Sequence, residues 1–480
     1  MKRFFCAIWE HIEYIFVLLL FVGVFYLAFS YNSYAGPDYS SSPEYTNRLF
    51  DDSKVHKIEV VINPTDLASL RENPREKDKY VTTVTIDGQR FEKVSFSTRG
   101  NGSLGTVASL PDSNRYSYTL NFHKFNEHGS YYGLDKIALN SLVEDPSYLK
   151  DYLAYRIVAA TDLDYPFTSF TELYINGELN GLYLALEGVD QAFLKRTNSS
   201  SDAALFHPVP YSIDHDRIKR DSRALPEGET GAWENDMGYD GSDFVYRGDA
   251  VESYDSIFEN AVTKYSKRDE TFIIEAIESL SEYSLRNPED YWDIDSIIKF
   301  FVVGSLIPNS DSYLGGTAQN YYLKLSNGKL SLIPWDFDRA FHLEEESLEG
   351  STSKDNAVLW PIDNPLINVS SKDERPLWRL IANNPEYMEQ YHDVLQAVLD
   401  EYMFSGKCVQ ELETAASLIR QYVYSDPTKL TTIDGFEQEV DYLHHFILPR
   451  ADSIQRQLWG IDSSTKRKGE SQPKRDIVDG

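Results

Sequence analysis

The chain has 480 residues, of which 41% are apolar and 14% aromatic, enough to bury a sizeable core in one large two-lobed unit or in roughly two to three domains. A formal net charge of −30 argues against a nucleic-acid partner, because phosphate contacts need clustered Lys and Arg, and it bears on solubility more than on fold. Cys6 precedes a hydrophobic segment and Cys408 is the one cysteine after it, so the part beyond that segment can close no internal disulfide.

Lys2 and Arg3 fall in the opening stretch, 1–13, and Tyr14 to Tyr31 is then apolar or aromatic apart from Ser30. That run comes close to the roughly 20 residues needed to cross a bilayer. Two readings compete: a cleaved signal peptide with Ser33-Tyr34-Ala35 as a small-x-small site, or an uncleaved signal anchor over 14–31. The long apolar run and the bulky Tyr34 favour the anchor. Two basic residues precede the span and only Arg48 follows soon after, which puts the N-terminus in the cytoplasm. The chain is thus expected to be a single-pass membrane protein with its C-terminal domain outside the cytoplasm, periplasmic or at the cell surface.

Residues 32–54 read as a polar linker. Val55 to Ile62 alternates like a strand, and Pro64 to Arg71 reads as a short helix with Pro near its start. Tyr80 to Ile86 and Gln89 to Ser97 are β-rich and joined by Asp87-Gly88, a strong hairpin signal. Arg99-Gly100-Asn101-Gly102-Ser103 reads as a flexible loop, and Tyr116 to Phe122 as a further strand of an antiparallel sheet. Leu149, Leu153, Ile157 and Val158 give Pro146 to Ala160 helical spacing. Glu172 to Ile175 and Leu182 to Leu186 flank Asn176-Gly177 and Asn180-Gly181, a second hairpin region, and a helix starts over Val189 to Lys195. Ser199 to Ser256, rich in Gly, Asp and Ser, reads as an irregular insertion at a lobe junction.

Amphipathic helices then dominate: Phe272 to Tyr283, Ile294 to Leu306, Trp378 to Ile381, Tyr387 to Met403, Glu411 to Tyr424 and Glu437 to Leu458. The acidic run Glu344-Glu345-Glu346 reads as a solvated loop, and 463–480 as a disordered polar tail. The expected architecture is α+β and two-lobed over 55–462, with a β-rich N-lobe, a helical C-lobe and a cleft between them.

The chemistry concentrates in Asn309 to Asp338. Asn320 to Leu325 and Lys329 to Pro334 read as strands around the two-residue turn Asn327-Gly328. Counting outward from that turn, residue 326 faces 329, 320 faces 335 and 319 faces 336. Gln319 and Asn320 therefore come beside Trp335 and Asp336, with Asp311 one short Gly-containing loop away. Mg²⁺ takes hard oxygen ligands and keeps room for substrate phosphates. The Asn320 carbonyl and the Asp336 carboxylate can supply such ligands, and Asp338 adds another. A separate Asp311 can orient an attacking hydroxyl and accept its proton.

Several segments together resemble the CotH kinase family. They are Arg99-Gly100-Asn101, Tyr132-Gly133-Leu134-Asp135-Lys136-Ile137-Ala138-Leu139-Asn140 and Asp145-Pro146-Ser147, followed by Tyr174-Ile175-Asn176-Gly177 and Gly181-Leu182-Tyr183. Glu187-Gly188-Val189-Asp190 with Phe193-Leu194, Asn320-Tyr321-Tyr322-Leu323 and Ile333-Pro334-Trp335-Asp336-Phe337-Asp338 complete the set. The resemblance implies an atypical protein kinase-like fold, ATP with Mg²⁺ (or Mn²⁺), and Ser/Thr phosphorylation of secreted or envelope proteins. It implies Asp311 as the catalytic Asp, Asp336 as the metal-binding Asp and Asn320 as the Asn that begins the hairpin. Glu187 matches a Glu that ends the lobe-linking strand, with a helix N-terminal carboxylate as its structural alternative.

Two departures bear on ATP. Where the family's strand has Lys-x-Ser this chain has Arg115-Tyr116-Ser117, and where the family has Leu-Tyr-Lys it has Leu205-Phe206-His207. Arg keeps the charge but not the shape, so phosphate is assigned to Arg115 or Arg99. Three functions stay open: an active kinase, a pseudokinase serving as a surface binding or assembly module, and another metal-dependent phosphotransferase acting on a glycan or polymer.

Overall fold

In the computed structural model, residues 43–111, 113–210, 241–343 and 357–465 are described. The expected anchor at 14–31, the Glu344-Glu345-Glu346 run and most of the polar tail lie outside them. Among the described residues no helix is long and apolar enough to cross a membrane.

Alternation of apolar and polar residues builds the first half. In β1 (His56–Val61) Ile58 and Val60 are buried while Lys57 and Val61 are exposed, the period-two signature of a strand with one face on a core. The strands β2 (Tyr80–Ile86), β3 (Gln89–Arg99), β4 (Ser117–Asn121), β5 (Lys136–Asn140), β6 (Thr168–Ile175) and β7 (Glu178–Glu187) follow. They close into a barrel in the order β1-β2-β3-β4-β5-β7-β6. Its interior is filled by residues such as Val84, Phe96, Tyr118, Leu139, Leu173 and Tyr183. The antiparallel pattern expected from sequence is present, but the sheet is not open. A parallel pairing of β1 with β6, His56 opposite Thr171 through Val60 opposite Ile175, closes it and leaves no exposed edge.

The turn chemistry matches the sequence reading. Asp87-Gly88, Asn176-Gly177 and Asn327-Gly328 each put two successive residues at positive φ, 48° and 83°, 51° and 86°, 52° and 69°. That is the twist a two-residue hairpin requires.

Helix α1 (Pro64–Glu72) is capped by Asn63, whose side chain accepts the Thr65 N–H. The segment read as a flexible loop after Arg99 instead enters a helix, α2 (Gly102–Ser109), whose Leu104 and Val107 are buried. Helix α3 (Lys150–Ala160) packs between the barrel and the second half, and α4 (Gln191–Arg196) follows β7. The expected insertion, of which 211–240 lie outside the described residues, contributes a strand: β8 (Ala204–Phe206) joins β9 (Tyr321–Ser326) and β10 (Lys329–Pro334) in a three-stranded sheet of order β10-β9-β8.

Around that sheet pack α5 (Lys267–Ser279), α6 (Ile294–Leu306), α7 (Pro376–Ala382), α8 (Pro385–Val398), α9 (Lys407–Ser425) and α10 (Ile433–Leu458). The helix expected to run to Met403 passes into a π turn over Leu399–Met403. The mixed α+β class and the β-then-α order agree with the sequence reading.

Candidate active site

The hairpin β9–β10 pairs as the count from its turn requires, from Lys329 opposite Ser326 to Pro334 opposite Tyr321. One step further, the Trp335 N–H donates to the Asn320 carbonyl at 3.1 Å. At this end of the hairpin the backbone twists sharply. Ala318, Asn320 and Asp336 sit at φ 49°, 59° and 60°, in the left-handed region that residues with a side chain seldom occupy.

Hydrogen bonds tie the twisted segments together. Asn320 Nδ2 donates to the Asp311 carbonyl at 2.6 Å, which leaves Oδ1 as the amide atom able to bind a cation. Gln319 Nε2 donates to Asp311 Oδ1. Asn309 accepts the Asp311 N–H on Oδ1 at 2.9 Å and donates from Nδ2 to the Asp336 carbonyl at 3.3 Å. Asp311, Asn320 and Asp336 are thus one connected unit.

Acidic groups crowd this unit. Burial, then the nearby Asp311 carboxylate, holds the Asp336 carboxyl above its ordinary pKa, while Arg99 pulls the other way. Asp338 is raised well above the carboxylate range by burial, then by Asp336 and Asp151. Asp151, fully buried on α3, is pushed up to about 7 by burial and then by Asp336. Oδ1 of Asp336 is buried and has no hydrogen-bond partner. Like charges gathered out of water with an unpaired oxygen are costly, and a divalent cation relieves that cost. The donors are hard oxygens, as Mg²⁺ or Mn²⁺ prefers. Among the described residues no group of three or more His, Cys, Asp or Glu is placed to hold a metal ion. The unpartnered Asp336 oxygen and its oxygen-donor neighbours fit only a cation held by one or two carboxylates, with phosphate oxygens and water to complete it, as is usual for Mg²⁺.

Arg99, the last residue of β3, lines the same small cleft as Asp336, Asp338, Asn140 and Asp151. Its guanidinium lies 5.4 Å over the Trp335 ring, and among the described residues no carboxylate forms an ion pair with it. A broader cleft, lined among others by Lys136, Asp190 and Arg268, opens at the turn end of the hairpin. Six residues of strand put that cleft about 20 Å from the carboxylates. None of the candidate site residues Arg99, Arg115, Glu187, Asp311, Asn320, Asp336 and Asp338 lines it.

The sequence profile of the family described as CotH kinase protein matches residues 96–454. The chain belongs to that family. Inner spore coat protein H of Bacillus subtilis (strain 168) is 21% identical over 417 residues, covering 85% of this chain and 98% of that protein. The crystal structure of a Helicobacter pylori proinflammatory kinase, CtkA, covers 73% of this chain and 96% of its own at 9% identity, with a TM-score of 0.27. A likeness that remote carries no argument about this chain.

Within this CotH framework, Arg99, Asp311, Asn320, Asp336 and Asp338 come together, and two other expected residues do not. Arg115 is fully buried. Its Nε donates to the Ser141 carbonyl at 2.8 Å, Nη2 to the Leu182 carbonyl at 2.6 Å, and Nη1 to Asp426 Oδ2 and Thr428 Oγ1, both at 2.7 Å. All three nitrogens are engaged, so none is left for a phosphate, and Arg115 instead ties the barrel to the segment after α9. Glu187 is equally buried. Its carboxylate accepts from the Tyr45 hydroxyl at 2.5 Å, from Arg196 Nε at 2.8 Å and from the Phe167 N–H at 3.1 Å. Nor does it cap a helix: that role falls to Asp190, which accepts the Ala192 N–H.

His207, at the second departure, stacks on Tyr322 with ring centroids 4.4 Å apart. Burial, then Arg99, lowers its pKa to about 4, so at neutral pH it adds no cation. Sequence reasoning missed Asp151, Asn140 and Lys150. Lys150 Nζ donates to the Asp338 carbonyl at 3.3 Å and lies 3.2 Å from His342 Nδ1. Two signals were available: the run Tyr132 to Asn140, which ends on Asn140 itself, and Asp145-Pro146-Ser147, which stands just before the α3 residues of this group. Asp145 accepts the Lys150 N–H at 2.7 Å and so starts that helix.

Proposed function

We propose that this chain is a protein kinase that moves the terminal phosphoryl group of ATP to Ser or Thr hydroxyls of secreted or envelope proteins. The observation that carries the reading is the half-buried Asp336–Asp338 pair, set among other carboxyls with one buried, unpartnered oxygen on Asp336 and sharing its cleft with Arg99, which no carboxylate pairs among the described residues. A bound Mg²⁺ or Mn²⁺ would neutralise developing phosphate charge there, held by Asp336, Asp338 and Asn320 Oδ1. Arg99 is the phosphate-binding cation. Asp311, fixed by Gln319 and by its backbone contacts, orients the acceptor hydroxyl and takes its proton. Membership of the CotH kinase protein family supports the transfer chemistry. An apolar N-terminal segment, and a relative named for the spore coat, support a membrane-anchored chain with its catalytic domain outside the cytoplasm.

The test is transfer from labelled ATP by the purified full chain with Mg²⁺ or Mn²⁺, onto itself and onto a generic Ser/Thr substrate. Asp311→Ala should lower transfer by about 10²–10⁴-fold, the range for loss of a positioned acid–base group, and Asp336→Ala by at least about a hundredfold, as the loss of several kcal/mol of metal-borne charge stabilisation requires. A second reading, a pseudokinase acting as a surface binding module, is favoured by the engagement of Arg115 and Glu187 in structural bonds and by the neutral His207. Folded protein with no transfer and no nucleotide-induced thermal shift would select it.

A further inference from the structure

One face of α3 grips the loop that carries Asp336. Asp151 and Tyr155 lie four residues apart and so stack on the same side of the helix. Asp151 Oδ1 accepts the Phe337 N–H at 2.6 Å, and the Tyr155 hydroxyl accepts the Asp336 N–H at 3.4 Å. The Tyr155 ring meets the Phe337 ring edge-on, with centroids 5.3 Å apart at 90°. Two successive amides of the loop are therefore held from one helix, at the point where Asp336 turns through φ 60°. The other oxygen of Asp151 accepts Asn140 Nδ2 at 2.7 Å, which fixes the carboxylate to the rim of the barrel.

In protein kinases generally, a strand lysine paired with a helix glutamate must be in place together with the metal-binding Asp. Here a helix carboxylate reaches the metal loop, but the strand residue paired with it is a neutral amide. Asn140 orients Asp151 and brings no charge. On the barrel rim the cation stands elsewhere. Arg99 pairs in register with Ser117, and Tyr118 pairs with Leu139, so Arg99 lies on the same rim two strands from Asn140.

We propose that Asp151 and Asn140 are an uncharged-partner clamp that positions the Asp336 loop for its cation, coupling the placement of α3 to metal binding. The consequence for catalysis rests on the kinase reading, whereas the clamp is tested without nucleotide. Mn²⁺ binding to the full chain would be followed from the free-ion electron paramagnetic resonance signal. Asp151→Asn puts an amide donor against one of its two donors, the Phe337 N–H or Asn140 Nδ2, and should weaken Mn²⁺ binding about 10–100-fold, the range seen when a group that positions a metal ligand is lost. Asn140→Ala should weaken it in the same direction and less.

The swapped pair, Asn140→Asp with Asp151→Asn, restores both hydrogen bonds with the charge moved to the strand, and should recover most of the loss. In the transfer assay the metal concentration for half-maximal rate should rise in Asp151→Asn while KM for the protein substrate stays unchanged. Folded Asp151→Asn with wild-type Mn²⁺ affinity would overturn the proposal. So would a swapped pair as weak as Asp151→Asn, and if Asp151→Asn does not fold, Asn140→Ala and the swap decide. Mn²⁺ binding that depends on Asp151 in a chain that transfers no phosphate would sink the kinase reading and leave the clamp standing. Wild-type protein that binds no Mn²⁺ would overturn both.

Discussion

The junction at Arg115 and the base of the β9–β10 hairpin both bury charge, and they treat it in opposite ways. At the junction Arg115 meets Asp426, and its remaining donors go to two carbonyls and a hydroxyl. At the hairpin base burial and then Asp336 raise the pKa of both Asp151 and Asp338, burial and then Asp311 raise that of Asp336, and an Asp336 oxygen stays unpaired. A saturated pair of opposite charges holds a fold together, whereas an unsaturated set of like charges is tolerated for what it binds. Charge and burial alone do not separate the two cases. The partners do.

The contrast can be broken first at the junction. Arg115→Met leaves Asp426 buried without its cation, and removing one partner of such a pair costs about 3–5 kcal/mol. Denaturant unfolding should show that loss, and a variant as stable as wild type would mean that the pair is no staple. At the hairpin base the expected cost falls on binding instead. Arg99→Ala should leave unfolding unchanged and raise KM for ATP about 10–100-fold, as the loss of a charge-assisted contact of about 1.5–3 kcal/mol requires. An unchanged KM would remove Arg99 from the phosphate site.

The smallest effect is a slope with pH. Asp151 is raised to about 7, and Asp336 and Asp338 are raised as well, so the folded chain holds protons that the unfolded chain has released. That contribution to stability is fully present below the unfolded carboxylate pKa, about 4, and is lost as pH rises through 7. Metal-free protein should therefore melt lower at pH 7.5 than at pH 5.5. Added Mn²⁺ should narrow the gap, because it binds the deprotonated carboxylates. A metal-free melting temperature that rises over this range would contradict the burial of these carboxyls.

Much of the site was legible because it is local. The Asn327-Gly328 turn fixes the hairpin register, the register puts Asn320 beside Trp335, and Asp311 follows a short loop away. What escaped the sequence is long-range. Asp426 is 311 residues from Arg115, and nothing near Arg115 announces it. Asp151 reaches Phe337 across 186 residues, and in sequence it is one more acid in the first turn of a helix, where acids are common for the dipole alone. Barrel closure was hidden for the same reason: hydrophobic alternation identifies β1 and β6 as strands but carries no signal that they pair in parallel. The loop expected after Arg99 became α2 because two buried apolar side chains, Leu104 and Val107, outweigh the weak helix propensity of Gly102 and Gly105.

The most direct test sets the two regions side by side. Phosphate transfer from labelled ATP should be measured for Asp336→Ala and Arg115→Met, each normalised to its folded fraction. Asp336→Ala should lose at least about a hundredfold in transfer, and Arg115→Met should keep near wild-type transfer per folded molecule. Full activity in Asp336→Ala, or transfer abolished in folded Arg115→Met, would contradict this division of roles.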